Sequence, residues 1–581
     1  MIVITGAGIV SAIGRGKAET LHALRTEQSG IGPMSILDTA HKQLPAGEVK
    51  LSDAALGAAL GLESVAGMAR TTLLGLTAVD EALQDCGDLS GCRVALVSGT
   101  TVGGMDLTER NYPDGDPVFL AEHYADCTTR AIAAHYGHTF SSALTISTAC
   151  SAAANALIVG ARMLEEGRAD VVVAGGSEAL SRYHLSGFRA LMIVSDEPCR
   201  PFDAHRRGLN LGEGAAFVVM ETAAHARRRH ARAMGVLSGW GNRCDAFHQT
   251  ATSDHGEGPC LAITEALRKA KLQPADIDYI NAHGTATANN DSSEMAALHR
   301  VFGPSLPPYS STKAFTGHTT SASGSIEAVI ALLALQHQFV PVNLHLSCPM
   351  DGEPMPAVSP VAARPLRHIL SNAFAFGGND SALIISRAPE EGAADGEAHE
   401  MPLPPQDFDL TEAAPLQAID TRQYLHPLQA RRMDALLREV MVRALHLLKS
   451  EGLERPGAII VNTAFGCMDN TQRFLEAMLA QGEDTLSPTP FMQSTHNTIA
   501  AALAIATGCH GYNITYAALS GGAAIIEADA RSLLARGEAQ SVLLVEADRL
   551  TDRWRQLLMQ YGGEALVAKE GVSVRLMKRR G

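Results

Sequence analysis

The sequence predicts an α/β protein, a largely parallel sheet covered by helices on both faces, followed by a smaller unit of related design. Three observations carry that expectation. Short β-branched runs alternate with Ala/Leu-rich amphipathic stretches, the strand candidates are apolar on both sides, and an acidic, non-periodic segment divides the chain. At 581 residues the chain has room for roughly two to four domains.

The opening run MIVITGAGIV lacks basic residues before its apolar stretch and reads as a buried strand, not a signal peptide. Gly6-Ala7-Gly8 within it invites a dinucleotide-binding reading. Ser11 stands where a third glycine would be, and no acidic strand end follows about 20 residues on, so a tight turn against a dimer interface is expected instead. Val94 to Val97, Val171 to Ala174 and Ala216 to Val219 read as strands. Between the first two lies a helical pattern, 152–166, apolar at Leu157, Ala161 and Leu164. Ile277 to Ile280 reads as another strand and Gly324 to Leu335 as a helix. From about Ala388 to Pro415 the composition is acidic and rich in Ala, Pro and Gly, which suits a linker.

The piece beyond that linker echoes the first. Ala458 to Asp469 matches Ala95 to Asp106, ending in the same Gly-x-Met-Asp. Leu533 to Asp548 lies over Met163 to Glu178, with Gly537 on Gly167. The same offset carries Ser520 over Cys150.

Composition narrows the function. The chain has 47 Lys+Arg against 62 Asp+Glu, a net charge of −15, so a phosphate backbone is repelled and nucleic acid is not an expected partner. Hydrophobic residues at 46 % and charged residues at 19 % suit a packed enzyme rather than a disordered chain. The best apolar candidate, Ala328 to Leu335, falls far short of the roughly 20 residues of a membrane helix, so no membrane association is expected. Ten cysteines without CxxC pairs suggest reduced thiols in the cytoplasm and no zinc cluster, so no metal is expected.

Ser147-Thr148-Ala149-Cys150-Ser151 is a strand-end turn leading into a small-residue helix. A cysteine there sees the positive helix end, which favours thiolate, and its small neighbours leave the sulfur open. His283, in Asn281-Ala282-His283-Gly284, and His318, in Thr316-Gly317-His318, each sit beside glycine at a strand end. In an open α/β sheet that edge is where active sites form.

Five segments in order then resemble the β-ketoacyl-[acyl-carrier-protein] synthases of the decarboxylating Cys-His-His type. They are STACSAAANA (147–156), CRPFDAHRRGLNLGEGAA (199–216), NAHGTATANND (281–291), SSTKAFTGH (310–318) and SNAFAFGGND (371–380). The resemblance covers residues 1 to about 388. It implies a thiolase-like five-layered αβαβα fold, with an N-terminal half at 1–240 and a C-terminal half at 241–388, plus a second thiolase-like half-domain at 416–575 after a linker at 389–415. It further implies Cys150 as the acyl-accepting nucleophile, and His283 and His318 as the pair that drives decarboxylation and holds the enolate. Lys313 resembles the lysine near the histidines, and Glu327 the supporting carboxylate. The backbone N–H groups of Cys150 and Phe376 resemble the oxyanion hole, and Phe376 also the gate. Thr285 and Thr287 resemble the pair that bonds a phosphopantetheine arm. The implied partners are acyl carrier protein with its malonyl and acyl thioesters, and no separate cofactor. Gly377-Gly378-Asn379-Asp380 departs from the Thr-Asn that many relatives have after the glycines, which puts that loop's hydrogen bonds in doubt.

The basic pairs Arg206-Arg207 and Arg431-Arg432 are candidate docking spots for an acidic carrier, though such pairs more often sit on solvated faces. With Ser520 at the nucleophile position and none of the histidine segments, the second piece reads as non-catalytic, similar to a shortened chain-length factor. It is expected to dock on residues 1–240 as an intramolecular pseudo-heterodimer, the alternative being a homodimer. A linker of about 27 residues reaches at most about 90 Å and averages nearer 30 Å, which permits this. Two other functions stay open: a non-catalytic scaffold controlling chain length, which Cys150 disfavours, and a degradative thiolase, which His318 disfavours.

Overall fold

A computed structural model describes residues 1–357, 365–388, 407–431 and 433–580. The first 388 residues form five layers. The helices Ala152–Glu165 and Ser323–His337, buried through Leu164 and Leu335, lie at the centre, packed on each other. On one side is the sheet containing Ile2–Ser11, Gly214–Thr222, Val171–Glu178, Val94–Gly99 and Phe140–Ile146, in that spatial order. On the other are Gly235–Cys244, Asn379–Ser386, His368–Ala375, Tyr279–Asn281 and Tyr309–Ser310. Helix Arg70–Cys86 covers the first sheet, and Glu257–Ala270 with Ala288–Phe302 covers the second. A helix buried all round must be apolar all round unless a buried polar group is paired, and Ala328 to Leu335 is apolar while Glu327 before it is paired with Lys313. That is why an eight-residue apolar run, Ala328 to Leu335, belongs to a central helix.

The glycines of the opening strand are not a turn. Gly6 and Gly8 lie in mid-strand, where an added Cβ would fall 2.3 Å from the Ala82 carbonyl oxygen and 2.0 Å from that of Ala78. They let the covering helix rest directly on the sheet. The expected halves also shift. Strand Gly235–Cys244 crosses residue 240, so the division falls before Gly235.

The second unit repeats the first sheet in mirrored order. Strands Asn513–Tyr516, Ala458–Asn462, Ser541–Asp548, Gly571–Arg579 and Phe408–Glu412 continue outward from Phe140–Ile146. Tyr516 pairs antiparallel with Ile146, and the Ser147 and Ala517 N–H groups donate to the carbonyls of Thr515 and Thr145 at 2.9 and 3.0 Å. The half-domain is thus docked on residues 1–240. It begins earlier than expected, because Phe408–Glu412, inside the proposed linker, pairs with Gly571–Arg579. It also ends later, since that last strand runs to Arg579. The rest of the expected linker, 389–406, lies outside the described residues. Beside the strand pair, Arg162 is buried against Asp529 at 3.2 Å and donates to Ser532 Oγ at 3.0 Å.

Among the described residues no helix is long and apolar enough to cross a membrane, and no cluster of His, Cys, Asp and Glu is arranged to hold a metal ion.

Candidate active site

Cys150 sits in a tight turn, Ala149–Ser151, between strand Phe140–Ile146 and helix Ala152–Glu165. Ala149 adopts a left-handed φ of 50°, a strained turn that aims the next side chain off the strand end. His318 follows Gly317, whose φ of 71° reverses the chain, and the His318 N–H donates to the Asn210 carbonyl at 2.7 Å. His283 is fixed through its backbone. The N–H groups of His283 and Gly284 donate to the two oxygens of buried Glu294 at 2.9 and 2.8 Å.

These three side chains meet. His318 Nε2 lies 3.1 Å from Cys150 Sγ, and the two imidazole centroids are 5.4 Å apart, edge to face. Lys313 Nζ is 3.3 Å from His283 Nδ1 and 2.6 Å from Glu327 Oε1. The lysine nitrogen donates, so Nδ1 accepts and the His283 hydrogen sits on Nε2. His318 Nδ1 is 3.1 Å from Ser323 Oγ.

The electrostatics follow from burial. Desolvation pushes both His283 and His318 well below the usual imidazole range, and Lys313 adds to it, so both rings are neutral near pH 7. Burial pushes the Glu327 carboxyl up to about 7 against the pull of Lys313. The expectation that the helix start makes Cys150 a thiolate is overturned. Burial pushes the thiol up to about 12, outweighing Lys313 and the N–H groups of Phe376 and Cys150, which pull the other way. Those two N–H groups lie near enough to the sulfur to favour its charged form, the neighbourhood in which the oxygen of an acyl group on Cys150 would sit.

A cavity of about 450 Å³ is lined by Cys150, His283 and His318. Thr285 and Thr287 line it, their hydroxyl oxygens 2.9 Å apart, and so do Arg206 and Arg207. Arg206 is tied to the Asp203 and Ala288 carbonyls and Ser292, whereas Arg207 is exposed and lies 3.9 Å from Glu197. Arg431 lies at a different pocket, and residue 432 is outside the described residues. Phe376 stacks on Phe188 with centroids 5.6 Å apart. In the departing loop, Asn379 accepts from Ser151 Oγ and Asn155 Nδ2, both at 2.7 Å, and donates to the Asn513 carbonyl of the second unit at 2.5 Å. Two of its hydrogen bonds thus hold the Cys150 turn and its helix, and the third crosses the domain contact.

Among its described residues the second unit holds no matching site. Ser520 is exposed on the loop before helix Gly522–Ala535, the counterpart of the Cys150 turn. Phe465, Phe491, Met492 and His496 nevertheless wall a second cavity that reaches Cys150. Sequence reasoning missed them. The internal repeat could have flagged one, because it places Phe465 over Val102, which lines the same cavity. Glu294 was missed as well; it acts through main-chain contacts that no side-chain motif announces.

The beta-ketoacyl synthase N-terminal domain family matches residues 1–226, and the corresponding C-terminal domain family matches 234–347. A further family described as beta-ketoacyl synthase, N-terminal domain matches 406–567. The chain is 33 % identical to a 3-oxoacyl-[acyl-carrier-protein] synthase 2 of Coxiella burnetii over 410 residues, 66 % of this chain and 98 % of that protein. It is 32 % identical to the enzyme of the same name from Vibrio cholerae over 411 residues, 66 % and 99 % of the two chains. Among solved structures it resembles the ishigamide ketosynthase/chain length factor, at 29 % identity and a TM-score of 0.61 over 67 % of this chain and 99 % of that one. The PfaC keto synthase-chain length factor shares the fold across 100 % of this chain and 78 % of its own, with a TM-score of 0.75 at 16 % identity. Five layers, a thiol facing two neutral imidazoles and these matches place the chain in the β-ketoacyl synthase family of acyltransferases, with a second ketosynthase N-terminal domain fused behind the first.

Proposed function

We propose that the chain condenses a malonyl unit on acyl carrier protein with an acyl group held on Cys150, by decarboxylative Claisen chemistry in fatty-acid or polyketide assembly. The observation that carries this reading is Cys150 Sγ at 3.1 Å from His318 Nε2, with His283 beside it and held by Lys313.

In the loading step Cys150 Sγ attacks the carrier-bound thioester. A new S–C bond forms, the pantetheine sulfur leaves, and the proton given up by Cys150 goes to that sulfur. The resting thiol is protonated, so this step needs a proton acceptor, and His318 Nε2 is at hydrogen-bond distance. A malonyl thioester then follows along the cavity past Thr285 and Thr287 on the phosphopantetheine arm. Loss of carbon dioxide leaves an enolate, to whose oxygen neutral His283 donates its Nε2–H; His318 donates likewise once its hydrogen stands on Nε2 rather than on Nδ1, which faces Ser323 Oγ. The enolate carbon attacks the acyl carbonyl, whose developing oxyanion meets the N–H groups of Cys150 and Phe376. Collapse breaks the S–C bond and returns the Cys150 sulfur, which regains a proton. The reaction as written balances without a separate cofactor.

The second domain fits a non-catalytic, chain-length-factor-like role, since it supplies wall and no nucleophile. The free cysteines fit a reducing cytoplasm. The test is chain extension from malonyl-carrier protein, read by mass spectrometry and carbon dioxide release. The wild type should extend an acyl chain, and Cys150→Ala should lose extension by at least about a thousandfold. A wild type that neither extends nor decarboxylates would favour the alternative, a scaffold partner of another ketosynthase.

A further inference from the structure

The cavity on which the second domain borders measures about 50 Å³, room for roughly four water-sized groups. Its walls are mostly apolar, with Met105, Phe188, Phe465 and Phe491 among them. Three imidazoles interrupt that lining: His123 and His184 from the first domain and His496 from the second. Burial pushes them down to about 3, about 4 and about 4, so all three are neutral near pH 7. His123 has a settled environment. Its Nδ1 is 2.9 Å from Thr108 Oγ1, and its ring packs 4.5 Å from that of Trp554.

His496 does not. Both of its ring nitrogens are buried, and neither makes a hydrogen bond of ordinary geometry; the Ala464 carbonyl is close enough to accept from one of them, which leaves the other without a partner. The backbone is shaped around the ring, since a Cβ on Gly466 would lie 3.0 Å from His496 Nδ1. Thr101 Oγ1, on the same cavity wall, is buried without a hydrogen bond of ordinary length, the Glu178 carboxyl being its polar neighbour. A saturated acyl chain would leave these groups unmatched in an apolar chamber, at a cost in affinity. A chain bearing a second oxygen would engage them. A neutral imidazole carries one donor and one acceptor, so it can serve either a keto or a hydroxyl group.

We propose that this cavity selects a short acyl group carrying a keto or hydroxyl oxygen beyond the thioester carbonyl, and that His496 is the specificity-determining residue that reads it. The inference rests on the acyl loading of Cys150 proposed above and names its substrate class. Sites that bond a substrate oxygen discriminate far more strongly than apolar pockets that merely fit a chain.

The test compares three four-carbon groups delivered on a carrier protein: 3-oxobutyryl, 3-hydroxybutyryl and butyryl. The readout is the initial rate of Cys150 acylation by mass spectrometry. In the full-length wild type an oxygenated group should load at least about tenfold faster than butyryl. His496→Leu should bring that ratio to within about twofold, and His496→Gln, which keeps a donor and an acceptor, should hold it. Thr101→Val offers an independent reduction should His496→Leu fail to fold. Butyryl loading as fast as the others, or a ratio unmoved in His496→Leu and Thr101→Val, would overturn the proposal while leaving condensation intact. Failure to load any of the three would overturn both readings.

Discussion

Cys150 shows how residue-scale forces compete. Its place at a helix start was legible in the sequence, and so was its meeting with His283 and His318, because the motifs around all three are contiguous strings. Its protonation was not legible, because desolvation depends on what the rest of the chain packs over it. With the thiol at about 12, the thiolate fraction rises about tenfold per pH unit throughout the accessible range. Alkylation of Cys150 by iodoacetamide, followed by mass spectrometry, should therefore climb from pH 6 to pH 9 without a plateau. A plateau near pH 7 would mean an activated thiolate. Lys313 and Glu327 make a second residue-scale case, a pair 2.6 Å apart in which each is nearly sealed from solvent. Removing one buried partner leaves the other charge uncompensated. Glu327→Gln should lower malonyl decarboxylation at least tenfold by displacing the lysine that orients His283, while acyl loading at Cys150 changes less.

At the scale of elements, the internal repeat proves to be a repeat of contacts. Glu178, at the end of strand Val171–Glu178, accepts from the Thr101 N–H at 2.7 Å and Thr100 Oγ1 at 3.1 Å. Asp548, aligned with it in sequence, accepts from the Phe465 N–H at 2.9 Å and Thr463 Oγ1 at 3.0 Å. Each strand-end carboxyl thus pins the loop that lines the shared cavity from its side. Burial pushes Asp548 up to about 7, well above its ordinary 3.8. The unfolded chain gives up that proton first, so the stabilisation from this group is complete below pH 4 and is lost as pH rises through 7. Asp548→Asn should therefore gain stability relative to the wild type between pH 5 and pH 8, by up to about 2 kcal/mol, in urea unfolding at the two pH values. A constant difference would sink that account. Strand Phe408–Glu412 was the element the sequence concealed. It is an edge strand with exposed Asp409 and Glu412, so it shows no alternation strong enough to stand out from linker composition.

For the whole molecule, the decisive feature is the sheet that passes from one domain into the other. The expected pseudo-heterodimer was legible because a half-copy keeps a pairing surface, but the residues that secure it were not. Arg162 and Asp529 belong to motifs of neither half, and their pairing is a property of the contact alone. Tyr512 and Tyr516 donate to Asp529 at 3.1 and 3.0 Å, so the charge pair is embedded in a small polar network. Asp529→Ala should destabilise the protein by about 3–5 kcal/mol and separate the unfolding of the two domains in calorimetry. A single unchanged transition would count against the network. Intact chain should run as one copy in light scattering, since strand Phe140–Ile146 already has its antiparallel neighbour. On the second domain, helix Gly522–Ala535 presents polar contacts: Glu527 meets Arg575, and Arg531 lies over the Phe408 ring. Covalent tethering of both walls has a kinetic corollary. Turnover per milligram should stay constant from micromolar to picomolar enzyme, whereas a chamber assembled from separate polypeptides would lose activity once diluted past its dissociation constant.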